Sequence, residues 1–179
     1  MDGFVETLTK RLSLNLKRIH EMGVPKVAVT AMEPLGCIPG VAFLTTGNYS
    51  NTCDERINNI TRFHNQLLKQ NIEELKDQTD GSPFVILDLY AAFMSALNIQ
   101  YNRPVNGSFA HKMQPCCLGK CGEVDESGKK EYRVCDNPKM AFFWDMFHPS
   151  QQGWMAVYSA LQETSLPNLL SLSAPPSKY

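Results

Sequence analysis

Near the end of the chain, Trp144-Asp145-Met146-Phe147-His148-Pro149-Ser150 sets a carboxylate three residues before an imidazole, with a proline behind it. That spacing lets one bent loop bring the two side chains together without a long-range contact. A carboxylate on Nδ1 fixes the imidazole tautomer and stabilises its protonated form, and the opposite nitrogen is then free to take a proton from a hydroxyl. The chemistry suggested is acyl transfer through a serine nucleophile, with Asp145 and His148 as the catalytic pair. By spacing alone the same residues also describe a surface loop that caps a helix. The surroundings favour chemistry. Phe142-Phe143-Trp144 and Trp154 supply apolar walls, and Ser150 is a good helix cap. A histidine just ahead of a helix N-terminus has its cationic form disfavoured by the dipole, which a neighbouring carboxylate offsets.

The hydroxyl partner is missing. The sequence contains no Gly-Asp-Ser and no Gly-x-Ser-x-Gly elbow. Gly81-Ser82-Pro83 is the nearest look-alike, but it turns from helix into strand, whereas nucleophile turns lead out of strands into helices. Ser82 is rejected on that ground and no nucleophile is assigned. His64 falls in the apolar stripe of a long helix and reads as a core-edge histidine bonded to a backbone carbonyl. His20 and His111 read as solvated helix-end and loop residues. Cys116, Cys117, Cys121 and Cys135 with His111 nearby invite a zinc reading, but the spacing fits no common finger and no metal is assigned. Asp88 ends a strand at the carboxyl edge, where α/β sites gather, and reads as a turn or helix N-cap.

The elements that must position these residues alternate. Residues 4–22 predict an amphipathic helix with Phe4, Val5, Leu8, Leu12, Leu16 and Ile19 on one face, ended by Gly23. A strand follows over 24–30, and then a segment over 32–40 too rich in Pro and Gly for regular structure. Asp54 is expected to cap a long helix reaching about 78, with Ile57, Ile60, Phe63, Leu67, Leu68, Ile72 and Leu75 as its stripe. The apolar run over 84–89 suits a parallel strand covered on both faces. A short helix over 91–97 and an irregular loop over 102–138 come next. Pro149 and Ser150 open a last helix carrying Trp154, Val157, Tyr158 and Leu161. This is α/β wiring around a parallel sheet, but two strands make an incomplete one. Residues 1–165 are therefore expected to form part of a domain, with 166–179 a disordered tail.

With 43% hydrophobic and 20% charged residues and a net charge of −1, the chain is neither disordered nor fibrous and carries no footprint for nucleic acid. No apolar run is long enough to span a bilayer. Met1-Asp2-Gly3-Phe4 opens no signal peptide, which leaves the location of the chain as written undetermined. Yet Cys37, Cys53, Cys116, Cys117, Cys121 and Cys135, with glycosylation acceptors at Asn48, Asn59 and Asn106, suit the secretory pathway. A missing N-terminal half resolves that conflict.

Four blocks resemble the C-terminal half of a plant-type GDSL esterase/lipase of the SGNH hydrolase superfamily. They are Pro34-Leu35-Gly36-Cys37-Ile38-Pro39, Asn65-Gln66-Leu67-Leu68, Pro115-Cys116-Cys117 with Cys121 and Cys135, and Trp144 through Ser150, where the family usually has Thr at the last position. The resemblance runs over about 4–161. It implies a three-layer α/β/α, flavodoxin-like fold with an incomplete parallel sheet, and hydrolysis of small esters or lipid esters without a cofactor. It also implies a secretory location for the complete protein and carries the family's catalytic Asp and His onto Asp145 and His148. The family's Gly-Asp-Ser block, oxyanion Gly and Gly-x-Asn-Asp block lie upstream of Met1, so the isolated chain is expected to have impaired or no activity. The alternative is an inert remnant that acts as a binding or interaction protein. Disulfides are expected over zinc. Six cysteines allow about 15 connectivities, of which Cys37–Cys53 plus pairing among the last four is expected. An uncovered sheet edge is expected to promote self-association.

Overall fold

A computed structural model describes residues 2–49, 52–79, 83–97, 109 and 111–171. Helix α1 (Asp2–Glu21) turns Val5, Thr9 and Leu16 inward and ends at Gly23, whose φ of 96° is the left-handed value expected there. Phe4 and Leu8, expected on the buried face, are exposed. Thr9 takes the inner position because its hydroxyl bonds back to the Val5 carbonyl at 3.1 Å, so burial leaves no polar group unpaired.

Strands β1 (Val27–Thr30) and β2 (Phe84–Leu87) pair in parallel from Val27↔Phe84 to Thr30↔Leu87, joined through helices that include α3 (Glu55–Asp77). Asp54 caps α3 as expected, its carboxylate accepting the Arg56 N–H at 3.0 Å. The Arg56 guanidinium bonded to that carboxylate holds its pKa down to about 2. Leu68, Ile72 and Leu75 of α3 close with Leu16 over Val27, Val29 and Phe84. At its N-terminal end the buried line of α3 runs through Asn58, Thr61 and His64 instead of Ile60, which is exposed.

On the other side of the sheet, Leu87 joins a second cluster built from α4 (Leu89–Leu97) and α5 (Gln151–Glu163). Phe93, Leu97, Phe142, Phe143 and Val157 are its centre. Helices on both faces of a parallel pair make the expected α/β/α layering. The Val27 N–H donates to the Pro83 carbonyl and the Ala31 N–H to the Leu87 carbonyl. The peptide groups of Ala28 and Thr30 therefore face the opposite edge, where no strand pairs among the described residues.

Several segments differ from expectation. The first strand starts at Val27, with Val24 exposed. Part of the region expected to be irregular holds β3 (His111–Pro115), parallel to β6 (Ala141–Phe143), and a hairpin of β4 (Cys117–Val124) and β5 (Lys130–Val134). The hairpin is exposed along most of both strands, so it carries no apolar alternation to betray it. Helix α2 (Pro39–Thr46) uses its proline in the first turn and Gly47, at φ 74°, as its left-handed stop. The tail expected to fray begins as helix α6 (Leu166–Ser171), with Leu166 against the second cluster. Residues 172–179 lie outside the described ones. Among the described residues no helix is long and apolar enough to cross a membrane.

Ser150 opens α5 as expected. Its hydroxyl accepts the Gly153 N–H at 3.0 Å and donates to the Ala141 carbonyl at 2.7 Å. Trp154 and Tyr158 point outward, while Gly153, Val157 and Leu161 face the core. Ser150→Ala is expected to cost about 2 kcal/mol in urea unfolding, and Ser150→Thr much less, because threonine keeps both bonds. Equal losses in the two variants would show that the cap is not the source.

Candidate active site

The candidate loop grows directly out of β6. The Cys116 N–H donates to the Phe143 carbonyl at 3.1 Å, the Cys117 N–H to the Trp144 carbonyl at 2.6 Å, and the Ser150 N–H to the Phe142 carbonyl at 2.7 Å. The Trp144 N–H closes the turn on the His148 carbonyl at 2.8 Å. Within it, Asp145 Oδ1 accepts the N–H groups of Phe147 and His148, both at 2.8 Å. His148 Nδ1 lies 3.0 Å from Asp145 Oδ1 and 2.9 Å from Oδ2. The two side chains face one another, as their spacing suggested.

Burial pushes the Asp145 pKa up, but the N–H groups of Phe147 and His148 and the imidazole outweigh it, and the net shift is downward. The carboxylate is therefore ionised at neutral pH and can only accept, so the proton between the two groups sits on Nδ1. In the neutral ring Nε2 is then a bare acceptor, on a side chain 75% exposed. A depressed carboxylate stabilises its loop fully above the ordinary carboxylate range and loses that contribution as pH falls through the lowered value. Loop order, read from the amide resonances of Phe147 and His148, is thus expected to hold at about pH 5 and to fail only well into acid. Loss already near neutrality would contradict the hydrogen-bond pattern.

The loop rests on α2. The Gly40 N–H donates to the Met146 carbonyl at 2.7 Å, and the Phe147 ring covers Gly40 so closely that a Cβ there would meet its Cε1 at 2.5 Å. The start of α2 is itself pinned. Cys37 is bridged to Cys53, and Asn58 Oδ1 accepts the Gly36 N–H at 2.9 Å. Asn65 brackets Met32 by accepting its N–H at 2.9 Å and donating to its carbonyl at 2.8 Å. Gly40, Asn58 and Asn65 were missed as supports, although an asparagine on the inner face of α3 is a signal that a backbone needs a partner.

The other candidates resolve differently. His64 is buried, but its Nδ1 meets the Asn65 side-chain oxygen at 3.1 Å and not a backbone carbonyl. His20 donates to the Val24 carbonyl at 2.9 Å and sets its ring against Phe84, so it closes the end of α1 and is not simply solvated. His111 lies in β3 and not in a loop. Asp88 caps α4 through the Ala91 N–H at 2.9 Å. Cys37–Cys53, Cys116–Cys135 and Cys117–Cys121 are disulfides, which agrees with the expected pairing and consumes every thiol the zinc reading needed. Asn48 and Asn59 are exposed. Asn106 and Ser82 lie outside the described residues. Among the described residues no hydroxyl is bonded to the His148 ring, and Ser150 is turned away to Ala141.

The family model of the GDSL-like lipase/acylhydrolases matches residues 3–161. GDSL esterase/lipase At5g03610 of Arabidopsis thaliana is 42% identical over 173 residues, 94% of this chain and 47% of the relative. GDSL esterase/lipase At3g09930 of the same plant is 39% identical, over 91% of this chain and 47% of the relative. A GDSL lipase of Tanacetum cinerariifolium is 30% identical, over 84% of this chain and 40% of the relative. The chain spans about half the length of the curated relatives it matches. With an α/β/α scaffold beneath it and a family match along most of its length, the chain belongs to the GDSL-like lipase/acylhydrolase family.

Proposed function

We propose that this chain supplies the acid–base half of a serine ester hydrolase. The observation that carries the reading is the Asp145–His148 hydrogen bond, which occupies Nδ1 and turns Nε2 of the neutral ring into the free acceptor of an exposed side chain. Nε2 takes the proton of a serine hydroxyl as its oxygen attacks the ester carbonyl, and then returns that proton to the departing alcohol. Water repeats the exchange on the acyl-enzyme, while Asp145 holds the ring and stabilises its cationic form. Small esters or lipid esters are the substrate class, in keeping with the family.

The serine and the oxyanion donors come, in this reading, from a segment outside residues 1–179. Two observations support it: the chain spans about half of its relatives, and the peptide groups of Ala28 and Thr30 stand ready to accept a further parallel strand. The three disulfides and the exposed asparagines Asn48 and Asn59, each the first residue of a sequon, support maturation in the secretory pathway. The isolated chain is expected neither to hydrolyse p-nitrophenyl butyrate nor to react with a fluorophosphonate serine probe. Adding the upstream half of a relative should restore both. Ester turnover by the isolated chain that withstands His148→Ala would sink the proposal.

The open β1 edge also favours a second reading, an inert remnant that binds a partner or itself. Sedimentation of the wild type against Ala28→Pro tests whether that edge is the contact, and restored turnover on adding a serine-bearing half tells the two readings apart. The proline removes an N–H that faces the free edge, so it abolishes association only if that edge is the contact.

A further inference from the structure

Helix α2 carries no charged side chain, and none occurs anywhere over 34–53. Gly40, Phe43, Leu44 and Gly47 follow the spacing of a single helix face. That face is apolar and open, with Phe43 39% and Leu44 78% exposed. Tyr49 packs on Phe43 with ring centroids 5.1 Å apart, and its hydroxyl lies 3.3 Å from Met146 Sδ. Phe147, 53% exposed, lies on Gly40. The result is one continuous apolar surface from Leu44 through Phe43, Tyr49 and Met146 to Phe147, which adjoins His148. The Cys37–Cys53 bridge and the Asn58–Gly36 bond tie down the backbone at the start of α2, so binding there need not order it.

We propose that this surface binds the acyl chain of a medium- or long-chain ester, laid along α2 with its carbonyl at His148. The inference rests on the reading of His148 as the proton carrier of an ester hydrolase. Exposed apolar surface joined to a polar reacting group is the composition of a ligand site. The size suits this occupant: an eight-residue helix is about 12 Å long, room for a chain of roughly ten carbons. A second copy of the chain suits it poorly, since five side chains fall well short of the roughly 800 Å² per partner that a stable interface buries.

Sodium decanoate, kept below its micelle concentration, is titrated into the full chain while the side-chain resonances of Phe43, Leu44 and Phe147 are followed by NMR. Saturable shifts at all three are expected, and sodium acetate should produce none. Leu44→Gln should weaken decanoate binding about tenfold, whereas Met22→Gln, at an equally exposed apolar side chain on another part of the molecule, should leave it unchanged. Unmoved α2 resonances would overturn the proposal, as would equal weakening by the two glutamine variants. His148→Ala should retain decanoate binding. Its failure to restore turnover with a serine-bearing half, while decanoate still binds α2, tests the hydrolase reading separately. In the reconstituted enzyme, Leu44→Gln should lower the decanoate-to-acetate ratio of kcat/KM for p-nitrophenyl esters about tenfold. An unchanged ratio would remove the acyl assignment while leaving His148 its role.

Discussion

Joined to a serine-bearing upstream half, the chain with His148→Ala is expected to turn over p-nitrophenyl butyrate about 10⁴ to 10⁶ times more slowly than the same assembly with His148. The imidazole is the only group in the loop able to accept the serine proton and later protonate the leaving alcohol. Asp145→Asn is expected to cost about 10⁴, for a different reason. An amide can offer Nδ1 a donor where the carboxylate offered only acceptors, which favours the wrong tautomer and places a proton on Nε2. The asparagine can still accept the N–H groups of Phe147 and His148, so the turn should survive. His148 is 75% exposed, and its loss should shift the melting temperature little. The two measurements together separate chemistry from folding. More than about a tenth of the activity remaining in His148→Ala, with an unaltered melting curve, would remove the imidazole from the mechanism.

Phe142→Ala carries the largest expected effect on stability, about 3–5 kcal/mol in urea unfolding. Phe142 is fully buried and meets Phe93, Phe109 and Phe143 edge to face, with centroids 5.7, 5.1 and 4.9 Å away. A loss of that size is a large share of the roughly 5–15 kcal/mol that holds a domain folded. It also strikes the site. The Phe142 carbonyl accepts the Ser150 N–H and leaves no room for a side chain on Gly153, so this residue sets both the start of α5 and the end of the Asp145–His148 loop. Phe142→Leu, which keeps much of the volume, should cost less than half as much. If the alanine variant lost under about 1 kcal/mol, the aromatic cluster could not be the anchor of the loop.

The parts of the fold that were legible are those whose causes are local. Asp54, Asp88 and Ser150 cap helices by reaching two or three residues along the chain, and each was readable from its type and place. The β1 and β2 segments announce themselves by apolar runs, and α3 by its 3.6-residue stripe. The segments that escaped depend on distant partners. The β4–β5 hairpin is solvated on both faces and held at its base by Cys116–Cys135, so no periodicity marks it. The start of α2 looks like a breaker because it combines proline and glycine. Both are there for a helix packed against Met146 and Phe147, which lie more than a hundred residues further on. The interior place of His64 follows from its position in the stripe of α3, but its partner does not, because Asn65 is committed to Met32 across the layer.

The Asp145–His148 contact belongs to the first kind. Three residues of separation, a tight turn and two backbone N–H donors suffice to make it, and all of these lie within the loop itself. The support beneath it belongs to the second. Gly40, the Asn58 and Asn65 brackets and the apolar face of α2 come together only when α3 packs across the sheet, since their contacts join residues far apart in the chain. Local hydrogen bonding could therefore be read from residue order, while the surface on which the loop rests emerges from long-range packing.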